Sequence, residues 1–300
     1  MSLFRRVFHV LTAPFRAWRW AARQVYRARQ AVVRFLTEEP EERPLGEAWD
    51  DVMQSPSVLL PHIAALRRHL LRAFLGFLVA TVAAFVYTPR FLDFLARPIG
   101  GMSHLQAIEV TEPIGVFMRV ALLLGFAVSL PYTYLELFLF IAPGLRPRAR
   151  RIGLLGFPLV LLFFVAGMAF AYFAMLPTAL PFLLNFMGIH TVPRPDSYIR
   201  FVTALLFWTG LSFEFPLVIY LLAAFGLVRA SMLWKHWREA VVIIAIVAAV
   251  ITPTVDPINM LLVMAPLTVL YFLGAVLARF AERSRASGAA ASPPSDASSI

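Results

Sequence analysis

From about residue 70 onward the chain alternates long apolar runs with short polar, basic or proline-bearing breaks. Six runs stand at roughly 70–88, 114–141, 152–176, 201–227, 240–252 and 258–279. Runs of this kind predict membrane-spanning helices, which need about 17–25 predominantly apolar residues. The fifth run, about 13 residues long, is shorter than a full span. Thr252-Pro253-Thr254-Val255-Asp256-Pro257 then breaks the helix, because proline lacks the backbone donor and clashes with the preceding turn. Lys235 and Arg238 precede the last two runs, and Arg279, Arg283 and Arg285 follow them. Both ends of the pair therefore belong on one side, which two short crossings joined by a tight turn satisfy. The predicted fold is an all-α membrane protein of six transmembrane helices, the last two short.

The first 36 residues carry a different pattern. Phe4, Phe8, Leu11, Phe15, Trp18, Val25 and Val32 recur at spacings of three, four or seven, with Arg5, Arg16, Arg19, Arg23, Arg27 and Arg34 mostly between them. This predicts an amphipathic helix with an aromatic face and an arginine face, lying in the membrane interface. No continuous apolar core follows the first arginines, so the segment does not read as a cleavable signal. An acidic linker over 37–56, with Glu38, Glu39, Glu41 and Glu42 around Pro40, joins it to a membrane domain over 57–285. Residues 286–300 are rich in Ala, Ser, Gly and Pro, and are expected to be a disordered tail.

Composition supports the membrane reading. Of 300 residues, 60% are hydrophobic and 15% charged, against about 25% charged in an ordinary soluble domain. The net charge of +10 rests on 27 cationic side chains, all arginine except Lys235. These cluster at the ends of apolar runs and in the first 72 residues, which points to anionic lipid headgroups rather than nucleic acid. Twenty-two lie in the N-terminal region, 142–151, 228–239 or the C-terminal region. Arg90, Arg97, Arg119, Arg194 and Arg200 fall toward the other side. The positive-inside rule then places both termini in the cytoplasm of a multi-pass protein of the cell membrane. With no cysteine, thiol catalysis, thiolate metal sites and disulfides are excluded.

One acid dominates the chemistry. Glu214 stands alone in the apolar run 201–228, and a carboxylate at that depth normally faces a protein interior or a wet cavity. It reads either as a functional group or as a protonated acid hydrogen-bonded within the bundle. Glu136, toward the end of the second run, is the other acid inside a hydrophobic stretch. The six histidines show no metal-ligand spacing within a span, no enzyme site emerges, and no cofactor is expected. Prolines 131, 158, 177, 181, 216 and 266 lie within or near helices, where each frees a carbonyl and shapes the bundle.

Several strings, in order, resemble one family. Residues 61–71, Pro-His-Ile-Ala-Ala-Leu-Arg-Arg-His-Leu-Leu, resemble a motif of the type His-Leu-x-Glu-Leu-Arg-x-Arg before the first span. Phe140-Ile-Ala-Pro-Gly-Leu145, with Pro143, followed by Arg150 and Arg151, is similar to its first cytoplasmic loop. Gly167–Tyr172 with Pro177, then Gly210-Leu-Ser-Phe-Glu-Phe-Pro216, then Pro253, Asp256 and Pro266 complete the order. The family is TatC, a subunit of the twin-arginine protein translocase, and the resemblance covers about residues 55–285. It implies a cup-shaped six-helix bundle, not an enzyme, that receives twin-arginine signal peptides on its cytoplasmic side. It implies TatA- and TatB-type single-span partners in an oligomeric complex, and transport of folded proteins driven by the proton-motive force. Carried onto this chain, the binding positions are Arg67, Phe140, Pro143, Leu145, Arg150, Arg151 and Glu214. Pro98, Pro216, Pro253, Asp256 and Pro266 are structural ones.

The chain departs from the pattern at the acids expected to meet the arginine pair. The motif glutamate is Ala65, and the loop glutamate ahead of the paired arginines is Ala149. Phe272 stands where an acid often follows the Leu-Tyr of the last span. Three readings compete: Glu136 supplies a relocated carboxylate; the chain is a paralogue that has lost twin-arginine recognition; or apolar contacts and other acids such as Glu239 suffice. From another class, a proton-coupled small-solute transporter would use Glu214 as its titrating group, although no paired repeats accompany it.

Overall fold

The computed structural model describes residues 59–145, 147–185, 192–251 and 257–290. Among them every regular element is helical and no strand occurs. The amphipathic segment 1–36, the linker 37–56, Pro253 and Asp256 lie outside the described residues, as do residues 291–300.

The first apolar run is bent rather than straight. Helix α1 (Leu59–Ala84) ends in turns at Phe85–Tyr87, and α2 (Thr88–Ala96) departs at 74°. Pro89, in the first turn of α2, costs no hydrogen bond there and presets the helical backbone. α2 buries Leu92, Leu95 and Ala96 against the bundle. Carbonyls of its last turn accept hydrogen bonds from tyrosines elsewhere in the bundle. The hydroxyl of Tyr172 donates to Phe94 O and that of Tyr198 to Leu95 O, each at 2.7 Å.

α3 (Glu112–Ile141) runs antiparallel to α1. They approach closely at Gly125, where an added Cβ would stand 2.2 Å from Thr81 Oγ1 and 2.6 Å from Thr81 Cα. A turn at Ala142–Gly144 leads to α4 (Pro147–Phe170), a wider π turn at Ala171–Met175, and α5 (Leu176–Leu184). The π turn has a local cause: the ring of Pro177 would clash with the carbonyl of Phe173 in an ordinary helix. The third apolar helix thus continues past Pro177 to Leu184.

α6 (Pro195–Phe213) and α7 (Phe215–Phe225) form the fourth span, broken at Glu214. Short α8 (Ala230–Lys235) leads to α9 (Trp237–Ile251) and α10 (Pro257–Ala290). The core packs α3, α4 and α6 around fully buried Phe164, with Val120, Val202 and Leu206 among its neighbours. Exposed apolar side chains cover the outside, among them Phe74, Val79 and Val82 on α1 and Val242, Ile246 and Val250 on α9. Such a coat suits lipid rather than water.

The expectation that both last helices are short needs correction. Only α9 is short: its 15 residues reach about 22 Å, against a hydrocarbon core of about 30 Å. α10 continues through Pro266 and holds a 24-residue apolar span, Met260–Arg283. It also runs five residues beyond Arg285, into the stretch expected to begin the tail. Among the described residues four helices are long and apolar enough to cross a membrane, the bent α1–α2 pair makes a fifth, and α9 is shorter. The protein is a multi-pass, all-α membrane protein.

Candidate functional site

The ends of the helices that carry the basic clusters converge at one rim. Ile219, Ala223 and Ala224 of α7, Ala230 of α8 and Ala278 and Ala281 of α10 form one apolar cluster. Phe138, Ala142, Leu145 and Ala149 form another, and Phe225 packs against both. Here the α3–α4 turn is pinned from within by a buried arginine. Arg150 donates from Nε to Ala142 O at 2.7 Å and from a terminal nitrogen to Pro143 O at 3.0 Å. Phe140, Pro143, Leu145 and Arg150 thus sit around one turn, with Arg150 holding it rather than facing solvent. Arg151 and Arg67 are exposed. Two residues before His69 on α1, Arg67 projects from another face of the helix.

Glu136 is almost fully buried at this rim, and both carboxylate oxygens are occupied. Nδ1 of His69, on α1, donates to Oε2 at 2.6 Å, and the Tyr132 hydroxyl, one turn earlier on α3, donates to Oε1 at 2.8 Å. Arg72, one turn after His69, lies close enough to favour the carboxylate electrostatically. The His69 ring also meets Phe140, with centroids 6.2 Å apart. Glu136 is thus linked to the start of the 140–145 turn through His69. Scanning histidines for metal spacing cannot find this arrangement, because its partners lie 67 residues apart. A signal was present nonetheless: His69 occupies the last arginine position of the pre-span motif.

Ala65 and His69 are four residues apart on α1 and share a face. The missing motif acid would therefore project from the turn beside the one that contacts Glu136. Ala149 is buried in the apolar cluster with Phe138 and Leu145. Phe272 is covered by aromatic rings, with centroids 5.7 Å from Trp234 and 6.4 Å from Trp237.

Glu214 occupies a separate environment. Pro216 cannot donate to the Ser212 carbonyl, so the helix breaks and Glu214 becomes the junction between α6 and α7. α6 and α4 nearly touch nearby, since a Cβ on Gly167 would lie 2.7 Å from Gly210 Cα. Pro216 faces Gly274 of α10. Glu214 is 7% exposed, its Oε1 has no hydrogen-bond partner, and it forms no ion pair among the described residues. The structure does not bring Glu214 and Glu136 together.

At the opposite end charges pair across helices. Arg119 of α3 bonds Asp196 at the start of α6, and Asp196 also accepts from Arg200 at 2.6 Å. Arg194 bonds Glu112 and reaches Glu109 at 3.1 Å. These carboxylates hold the Arg194 guanidinium still more firmly protonated than usual. Among the described residues no group of three His, Cys, Asp or Glu side chains is placed to hold a metal ion. Pro98 lies in the short helical turn Arg97–Ile99 and Pro266 within α10.

Residues 61–266 match the family described as Sec-independent protein translocase protein (TatC). A TatC protein of Carboxydothermus hydrogenoformans is 33% identical over 236 residues, covering 78% of this chain and 97% of its own. One from Deinococcus radiodurans is 35% identical over 252 residues, covering 80% and 92%. A crystal structure of the twin-arginine translocase receptor TatC has a TM-score of 0.63 at 28% identity, covering 73% of this chain and 99% of that one.

Proposed function

Because this chain belongs to the TatC family and is a non-enzymatic component of the twin-arginine protein translocase, we propose that Glu136 receives the arginine pair of signal peptides at its rim. The rim faces the cytoplasm, both termini lie on that side of the cell membrane, and TatA- and TatB-type subunits join it in an oligomeric complex. The complex draws on the proton-motive force to move folded cargo. One observation carries the recognition step: the Glu136 carboxylate meets α1 one turn from Ala65. A guanidinium binds a carboxylate through two parallel, charge-assisted hydrogen bonds, whereas lysine brings charge without the fork. Relocating the acid by one turn supplies an acceptor where the motif position has none. Phe140, Pro143 and Leu145, fixed by Arg150, and exposed Arg67 and Arg151 frame this rim, while Glu214 is the buried polar element along which the peptide's apolar segment lies.

Photocrosslinking of a signal peptide to the full-length protein in membranes tests this reading. An Arg-Arg peptide is expected to crosslink and a Lys-Lys peptide to do so weakly, with Glu136→Gln removing the difference. Equal crosslinking of both peptides to the unsubstituted protein would instead support a paralogue that keeps the scaffold and has lost recognition.

A further inference from the structure

His69 closes the carboxylate that the proposed recognition needs. We infer that His69 is an internal latch on Glu136: its imidazole occupies the carboxylate in the resting protein and must swing away when a guanidinium docks. This deepens, and rests on, the assignment of Glu136 as the receiving acid.

Four observations lead here. Both oxygens already accept a hydrogen bond, one from each helix, so the imidazole holds an acceptor site that an incoming guanidinium fork would compete for. The Glu136 side chain is 8% exposed and the His69 side chain 18%, so the histidine is the more accessible member of the pair. Tyr132 belongs to the same helix as Glu136, four residues earlier, and moves with it; His69 belongs to α1. The charged and titratable groups facing Glu136 are His69 and Arg72 from α1 and Tyr132 from α3. Of these, the imidazole is the hydrogen-bonding group that comes from a helix other than that of Glu136.

The latch has a second contact that gives it a consequence. His69 lies against Phe140, where α3 gives way to the turn that Arg150 holds. An imidazole leaving Glu136 also leaves or re-stacks on Phe140, so occupancy of the carboxylate is felt at the turn. The His69–Glu136 pair thereby sets a threshold. A lone cation must compete with a short internal hydrogen bond, while a planar fork gains two.

The test measures binding of a fluorescent Arg-Arg signal peptide to the full-length protein in nanodiscs, alone and with substitutions. His69→Ala is expected to tighten binding about tenfold, the equivalent of one charge-assisted hydrogen bond no longer broken. His69→Asn, which keeps a donor near the place of Nδ1, is expected to bind like the unsubstituted protein. In a Glu136→Gln background His69→Ala is expected to have no effect. Unchanged or weaker binding by His69→Ala, with Glu136→Gln still weakened, would overturn the latch and leave the recognition reading intact. Undiminished binding by Glu136→Gln would overturn both. Should His69→Ala fail to fold, His69→Leu, which fills the space without a donor, makes the same comparison.

Discussion

Replacing Gly167 with alanine tests the α4–α6 crossing that positions Glu214. The new Cβ would stand 2.7 Å from Gly210 Cα, 2.8 Å from Thr209 O and 2.9 Å from Phe213 Cγ. Non-bonded carbons rest at about 3.5–4.0 Å, so the helices must separate locally by about 1 Å. Two of the three obstructing atoms are backbone, which cannot rotate away as a side chain does. Overpacking of this kind costs about 1–3 kcal/mol, and the backbone contacts place Gly167→Ala toward the upper end, about 2–3 kcal/mol. For a chain of this size that lowers Tm by about 5 °C or more. Glu214 lies four residues beyond Gly210 on the same side of the helix, so the displacement reaches it. Thermal unfolding in detergent, followed by size-exclusion recovery, gives the stability, and export of a folded reporter gives the functional loss. Gly115→Ala is the control: nothing lies within 4 Å of its Cβ, and alanine favours a helix by about 0.5–1 kcal/mol. It is expected to leave Tm unchanged or raise it. A Gly167→Ala protein as stable as the unsubstituted one would refute the close crossing.

Asp196→Asn removes the negative charge shared by Arg119 and Arg200 and turns one of the two acceptor oxygens into a donor, and is expected to cost about 1–2 kcal/mol in the same unfolding assay, between exposed and buried ion pairs. Tyr198→Phe leaves the Leu95 carbonyl at the end of α2 without its side-chain donor, with an expected loss of about 1–3 kcal/mol and faster amide exchange across α2. Arg150→Ala frees the carbonyls of Ala142 and Pro143, so protease cleavage between α3 and α4 is expected to rise; unchanged cleavage would contradict the anchoring role.

Apolar periodicity made the bundle legible because lipid imposes it: every span must present a long apolar surface and satisfy its backbone internally. It did not reveal the bend after Ala84, since Phe85, Val86 and Tyr87 are as apolar as the helix they end. Nor did it show the third span continuing through α5 to Leu184, because the π turn that absorbs Pro177 leaves no mark in hydropathy. It ended the last apolar run at residue 279, whereas α10 extends to Ala290 over polar, helix-compatible residues. Glu136 and Glu214 stood out as acids in apolar runs, and both are buried. Their surroundings were hidden. His69 reaches Glu136 across 67 residues, and Arg119 reaches Asp196 across 77, distances over which local spacing carries no information. At positions 65 and 149 alanine stands where the family pattern has acids. In the fold they are part of a rim whose carboxylate comes from a different helix, facing the same side of α1 as Ala65.

Moving the acid from α3 back to α1 puts this relocation to the proof. The measurement is the Kd of an Arg-Arg signal peptide for the full-length protein in nanodiscs, for Glu136→Gln, and for Glu136→Gln combined with Ala65→Glu. Losing Glu136 is expected to weaken binding by about 2 kcal/mol, roughly thirtyfold, and Ala65→Glu to recover most of it. Glu136→Gln binding the peptide as tightly as the unsubstituted protein would place recognition elsewhere than Glu136.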